Sequence, residues 1–234
     1  KNFDGKFQGP ITLRQALGQS RNIPAIKAYY LGGEQKTIIP FAKGLGIQFL
    51  NENSDFCYPL ALGTAETTLL SMTNAYSTFA NGGLHYDPVS ILRVENAQGN
   101  ILEQWQDKKG NEALDPQIAY LISSVLSDRS VNIGPNINVN NQINAAKTGT
   151  SNRKNGHQYL PHDLLTMGYT TQLAVGVWAG NNDDSKDGPL NYAADGYNVA
   201  APIYKEFMEK ALAGQPAEDF PIPDGIKQET VSKY

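Results

Sequence analysis

One cysteine, three histidines and no long apolar run narrow the chemistry open to this chain. Cys57 alone cannot close an internal disulfide or supply a two-cysteine metal site, and it reads as a partly buried small hydrophobe. His85, His157 and His162 show no H-x-x-x-H spacing, so no metal site is expected. No cofactor is expected either: Gly44-Leu45-Gly46 lacks the third glycine and the preceding strand of a dinucleotide or phosphate loop. Charge of one sign accumulates nowhere. The 19 basic and 23 acidic residues are mixed along 234 positions for a net charge of −4, which gives no sign of nucleic acid as a partner and no polybasic block for an anionic membrane. No stretch approaches the roughly 18 apolar residues of a spanning helix. A signal peptide and an initiator Met are both missing, and the opening Lys1-Asn2-Phe3-Asp4-Gly5 suggests a piece of something longer.

What is there reads as an ordinary globular composition, 40% hydrophobic and 18% charged, with no repeat and no clear linker, so residues 1–234 are taken as one domain. Thr12-Leu13-Arg14-Gln15 matches a capping box and predicts a helix to about residue 19. Helical periodicity resumes over 23–31, with Gly32-Gly33 as its stop, and a further helix is predicted over 37–43. The best helix is 67–80, where Leu69, Met72, Ala75, Tyr76 and Phe79 form an apolar stripe. Segments 89–95 and 100–104 read as a hairpin around Gln98-Gly99, and Asp115-Pro116 starts a helix to about 127. The Asn-rich segment 131–141 has no period and reads as a loop, as do 151–161 and 181–198. Strands are predicted at Lys147–Thr150, 164–169 and 172–179. A last helix covers 200–212, and a proline-containing tail drapes over the surface. Helices first, then three strands, then a helix predict an α+β fold with an antiparallel sheet rather than alternating βαβ units.

Two short motifs stand out. Lys147-Thr148-Gly149-Thr150 ends an apolar run and offers an ammonium, two hydroxyls and an approachable backbone, a set suited to holding a carboxylate and the oxygen of a reacting carbonyl. Ser20-Arg21-Asn22 lies at a corner between two helical segments, where a hydroxyl can pass a proton and a carboxamide can hold an amide or carbonyl. Each has a plain structural alternative: Ser20 as a helix cap, Lys147 as an ion-pair partner, Thr148 and Thr150 as good strand formers. Ser151-Asn152-Arg153-Lys154 is a literal S-x-x-K, but a polar loop gives its lysine neither a helical turn nor the dry surroundings a neutral amine needs.

S-x-N and K-T-G are two of three elements found in penicillin-binding proteins and serine β-lactamases, the third being S-x-x-K. The chain resembles the C-terminal two-thirds or so of the transpeptidase domain of class A penicillin-binding proteins. The resemblance runs through Gly9-Pro10-Ile11-Thr12-Leu13-Arg14-Gln15 into Ser20-Arg21-Asn22, Ala61-Leu62-Gly63-Thr64-Ala65-Glu66, Phe79-Ala80-Asn81-Gly82-Gly83, Lys147-Thr148-Gly149-Thr150 and Gly176-Val177-Trp178-Ala179-Gly180. It implies a penicillin-binding, serine β-lactamase-like α+β fold, N-terminally incomplete. It also implies a D,D-transpeptidase that acts on peptidoglycan stem peptides ending in D-Ala-D-Ala and is acylated by β-lactam antibiotics. On that resemblance Ser20 would relay a proton to the leaving group, Asn22 would hold the substrate amide, and Lys147 would supply positive potential. Thr148 and Thr150 would hold a carboxylate beside Gly149, and the Thr150 N–H would form half of the oxyanion hole. The nucleophilic serine and its lysine would lie upstream of S-x-N, and only 19 residues precede Ser20 here, fewer than that spacing needs. The parent would sit on the extracytoplasmic face of a bacterial membrane, anchored there and carrying a glycosyltransferase domain. A non-catalytic β-lactam-binding or regulatory relative and a serine β-lactamase are the alternatives.

Overall fold

The computed structural model describes residues 2, 4–51, 53–183, 188–227 and 229. Parts of the predicted 181–198 loop and of the C-terminal tail therefore lie outside the described residues. Three helices open the chain: α1 (Leu13–Gly18), α2 (Asn22–Leu31) and α3 (Gln35–Gly44). Then come α4 (Leu69–Ala80), two small ribbons made of β1 (Leu84–His85), β2 (Arg93–Glu95), β3 (Ile101–Gln104) and β4 (Asn111–Glu112), and α5 (Pro116–Leu126). The main sheet is β5 (Ala145–Asn155), β6 (Gln158–Tyr169) and β7 (Ala174–Gly180), antiparallel in the order β5-β6-β7, and α6 (Ala201–Ala211) ends the ordered elements. Local chemistry explains several of these ends. Thr12 and Gln15 form the full reciprocal capping box, and Thr68 and Asp115 accept from the first turns of α4 and α5.

The sheet carries a helical layer on each face. On one face Tyr204, Met208 and Leu212 of the α6 region pack over Ala146 with Val175 and Val177. Ile137 and Val139 join them from the segment predicted as a plain loop. That segment is irregular, with one 3₁₀ turn (Pro135–Ile137), yet Ile137 and Val139 in it are buried. Burial is possible because side chains satisfy its backbone: the Asn144 amide donates to the Ile137 carbonyl and accepts from the Val139 N–H, and Arg129 donates to the Val139 and Gln142 carbonyls. On the other face Tyr169 is fully buried among Tyr76, Phe79 and Phe220, with ring centroids 5.5 to 6.3 Å away. Phe220 is itself buried, so the tail is a piece of this core and not only a surface strap. The stripe on α4 is met in part: Ala75 is buried, while Leu69 stays 40% and its neighbour Leu70 65% exposed.

The 151–161 segment is not a loop. β5 and β6 continue as a ribbon past the sheet and close on the two-residue turn Gly156-His157, with Gly156 at φ +60°. Polar residues predominate there because Asn152, Arg153 and Lys154 are exposed, so no apolar alternation marks the strand.

Gly168 has a tertiary reason. A Cβ there would sit 2.3 Å from the Tyr204 hydroxyl, which also accepts from Asn144 at 3.1 Å. Gly168→Ala is therefore expected to destabilise the domain by about 1–3 kcal/mol. Tyr204→Phe removes the nearest clashing atom but leaves ring carbons 2.5 and 2.8 Å from that Cβ, so the alanine should cost only somewhat less there. Denaturant unfolding of both single variants and the double measures this, and strictly additive losses would contradict it.

Candidate active site

The corner between α1 and α2 is built from the chain's first residues. After α1 the backbone turns sharply, with Ser20 at φ +55°, a left-handed conformation uncommon for a side-chain-bearing residue. Arg21, next in line, is buried and donates to the Asp4 carboxylate at 2.8 Å and the Lys6 carbonyl at 2.9 Å. The Arg21 guanidinium holds the Asp4 carboxyl below its usual range. Asn2 accepts from the Ile23 N–H and donates to the Lys6 carbonyl, tying the same segment to the start of α2. The strained Ser20 is thus clamped from one side. Its hydroxyl does not cap α2, whose N-cap is Arg21 with no side-chain capping bond.

Instead Ser20 meets Lys147 across 127 positions of sequence: Lys147 Nζ donates to Ser20 Oγ at 2.7 Å and to the Thr148 carbonyl at 2.7 Å. Burial pushes the lysine pKa down from 10.5 to about 8. Lys147 has no ion-pair partner among the described residues. A desolvated ammonium without a counter-charge, held by a hydroxyl and a carbonyl, leaves a local excess of positive potential. Asn22 occupies the first position of α2, half-buried, two residues from Ser20.

β5 is an edge strand, so K-T-G-T lines one margin of the sheet. The four residues do not all point the same way. Register places Lys147 and Gly149 on the face shared with Met167 and Leu165, and Thr148 and Thr150 on the face shared with Thr166 and Leu164. The Thr150 hydroxyl accepts from the Gly196 N–H at 3.0 Å, which leaves its own hydrogen to donate outward. Gly196 begins a π-helical turn (Gly196–Ala200) seated on the strand, where a Cβ would lie 2.4 Å from the Gly149 carbonyl oxygen. Gly196 sits in a polar segment with no period, so sequence reasoning missed it. Gly149 has open space in front of it, since a Cβ there would meet only Leu165 Cβ at 3.6 Å. The literal S-x-x-K lies along β5 in extended backbone, which separates Ser151 from Lys154 by about 10 Å of strand and removes the helical relation such a pair needs.

The family described as penicillin binding protein transpeptidase domain matches residues 1–209, and the chain belongs to that family. Class A proteins stand among its relatives. Penicillin-binding protein 1A of Rickettsia bellii is 29% identical over 259 residues, covering 100% of this chain and 31% of the relative. Penicillin-binding protein 1A/1B of Bacillus subtilis is 30% identical over 243 residues, covering 100% and 26%. The chain thus spans less than a third of the length of these relatives. In structure it is similar to the penicillin-binding protein PonA1 of Mycobacterium tuberculosis, with TM-score 0.83, 24% identity and coverage of 100% of this chain and 67% of that one. Penicillin-binding protein 1A of Haemophilus influenzae superposes with TM-score 0.80, 22% identity and coverage of 96% and 38%. The α+β fold with an antiparallel sheet is that of the penicillin-binding transpeptidases.

Proposed function

We propose that this chain supplies the substrate-holding half of a serine-type D,D-transpeptidase centre. The observation that carries the reading is the uncompensated Lys147 ammonium against the Ser20 hydroxyl at the open edge of β5. A peptide that ends in a carboxylate fits this edge twice over: its backbone can pair with the unpaired side of β5, and its terminal charge finds the positive potential and the Thr148 and Thr150 hydroxyls. In the reaction a serine oxygen attacks the carbonyl of the penultimate D-Ala of a D-Ala-D-Ala stem peptide. An acyl-enzyme forms, and the terminal D-Ala leaves with the proton. An amine of a second stem then attacks the ester, forms the cross-link and frees the serine. Ser20 passes the proton to the leaving nitrogen, Asn22 holds the peptide amide, and the Thr150 N–H stabilises the oxyanion. A β-lactam takes the donor's place, as the M. tuberculosis protein described in complex with penicillin V suggests. The nucleophile and its lysine come from residues upstream of S-x-N in a longer protein, which we place on the extracytoplasmic side of a bacterial membrane, anchored there and carrying a glycosyltransferase domain. The β-lactamase alternative needs a carboxylate free to activate water. Asp163, on the Lys147 side of the sheet, already accepts from Ser151, His162 and Trp178.

The test is made on the longer protein with a stem peptide ending in D-Ala-D-Ala and the same peptide amidated at its C-terminus. Release of terminal D-Ala should need the free carboxylate, and equal turnover of the amide would overturn the reading. Gly149→Ala adds a second check. The strand has room for the methyl, and Gly in a strand is no better than Ala, so thermal stability should hold or rise. The methyl projects on the Lys147 face, and acylation by penicillin should slow by about tenfold or more.

A further inference from the structure

At the far end of K-T-G-T the β5–β6 ladder slips: Thr150 pairs with Leu164, but Asn152 pairs with Pro161, so β6 bulges there, with His162 and Asp163 both facing Ser151. Ser151 is held there by side chains. Its hydroxyl donates to Asp163 Oδ2 at 2.6 Å and accepts from the Asp163 N–H at 3.0 Å. The same carboxylate receives His162 Nδ1 at 2.8 Å and the Trp178 indole N–H at 2.9 Å on its other oxygen. Gly180 makes room for the indole to reach across, since a Cβ there would lie 2.7 Å from the Trp178 ring. Burial pulls the Asp163 carboxyl up, and the hydrogen bonds from Ser151, His162 and Trp178 outweigh it and hold the group below its usual range. This anchor joins all three strands one residue beyond Thr150.

We propose that Asp163 is a positioning residue for the acyl-transfer site: through Ser151 it locks the bulge and thereby the orientation of Thr150. This rests on the proposed function above only for its consequence in catalysis. The physical reason is register. A strand that can slip by one residue turns each side chain to the opposite face, and an edge strand has a partner on one side only to prevent it. A hydroxyl that both donates to and accepts from the same aspartate fixes Ser151 opposite the bulge and so holds β5 in register. The Thr150 hydroxyl, already bonded to Gly196, then has one place to be.

The test uses Asp163→Ala, Ser151→Ala, the double variant and Ser151→Thr in the longer protein, with two readouts. In stopped-flow acylation by a fluorescent penicillin, the acylation rate constant should fall by about 10- to 100-fold in each alanine variant, while the fraction of protein finally labelled stays near wild type. Because Asp163 acts through Ser151, the double variant should be no slower than the slower single, and Ser151→Thr, which keeps the hydroxyl, should recover most of the rate. Independent multiplying effects, or a lower labelled fraction at unchanged rate, would overturn the inference. Amide hydrogen exchange at residues 162–163 and at the facing residues 150–152 reads the bulge without any chemistry. It should quicken at least tenfold in Asp163→Ala and in Ser151→Ala, and unchanged exchange overturns the inference whether or not the protein acylates. A wild-type protein that does not acylate while its variants show quickened exchange would instead defeat the transpeptidase reading and leave the anchor standing.

Discussion

Lys147→Met is expected to slow penicillin acylation in the longer protein by roughly 10²- to 10³-fold and to leave this domain about as stable as before. The two outcomes have one cause. Burial holds the ammonium at a pKa of about 8, against 10.5 for an exposed lysine, with no carboxylate to compensate. Keeping it charged at pH 7 therefore costs the folded state up to about 3 kcal/mol, since a tenfold change in proton affinity corresponds to roughly 1.4 kcal/mol. Methionine fills much the same volume without that cost, and the lost bonds to Ser20 and the Thr148 carbonyl, made by a charged group, are worth about 1.5 kcal/mol each at the low end, so the two terms nearly cancel. The functional loss is much larger, because the same unpaired charge is what a carboxylate substrate would meet. Removing a preorganised electrostatic group of this kind lowers rates on the order of 10²- to 10³-fold. A variant that loses stability and activity together would mean that Lys147 is structural.

The same desolvation fixes a pH dependence. Between about pH 8 and pH 10 the unfolded chain holds a proton at Lys147 that the folded chain has released, so stability rises with pH in that window. Buried tyrosines oppose this at higher pH: burial raises the Tyr76 pKa to about 12 and pushes Tyr169 and Tyr204 up as well, so the folded state resists losing those protons. Unfolding free energies of wild type minus Lys147→Met cancel the tyrosine contribution. The difference should climb from pH 7.5 to 9.5, and a flat difference would show that the lysine is not desolvated.

How far the sequence carried depended on the range of each interaction. The capping box at Thr12 and Gln15 and the three sheet strands were legible because their signals are local: a four-residue motif and runs rich in β-forming residues. The ribbon beyond Thr150 was not, since it has solvent on both sides and lacks the alternation that marks a half-buried strand. Burial of Ile137, Val139 and Phe220 was hidden for a different reason. Those segments have no period, and they are buried only because distant groups such as Asn144 and the Tyr169 ring receive them. At the site, residue types were readable and geometry was not. Ser20 and Lys147 could be paired on motif resemblance alone, and nothing local indicates the positive φ of Ser20, its clamp through Arg21 and Asp4, or the seating of Gly196 on Gly149. The alternation of strand faces should have been read from the sequence: Lys147 and Thr148 are neighbours and must point to opposite sides.

The second large effect concerns the 234-residue chain by itself, which is expected to take no label from a fluorescent penicillin. Its remaining groups can attract the carboxylate and offer one oxyanion donor, but the covalent step needs an activated serine, and catalytic units of this kind do not degrade in proportion to what is left. Two serines are candidates. Ser20 already binds Lys147, yet three residues on stands Ile23, so no second lysine lies a helical turn away to take its proton. Ser151 has Lys154 in sequence only. The strand holds the two apart, and the Ser151 hydroxyl donates to Asp163, a partner that binds its hydrogen but, with its carboxyl held below the usual range, is too weak a base to remove it near neutral pH. Intact-mass measurement after incubation with penicillin should therefore show the unmodified chain, and a longer form that includes an S-x-x-K before S-x-N should show a single adduct on that serine. A stoichiometric adduct on Ser20 would assign the nucleophile to the strained corner itself and would require Lys147 to act as its base, a role that its pKa of about 8 would then explain.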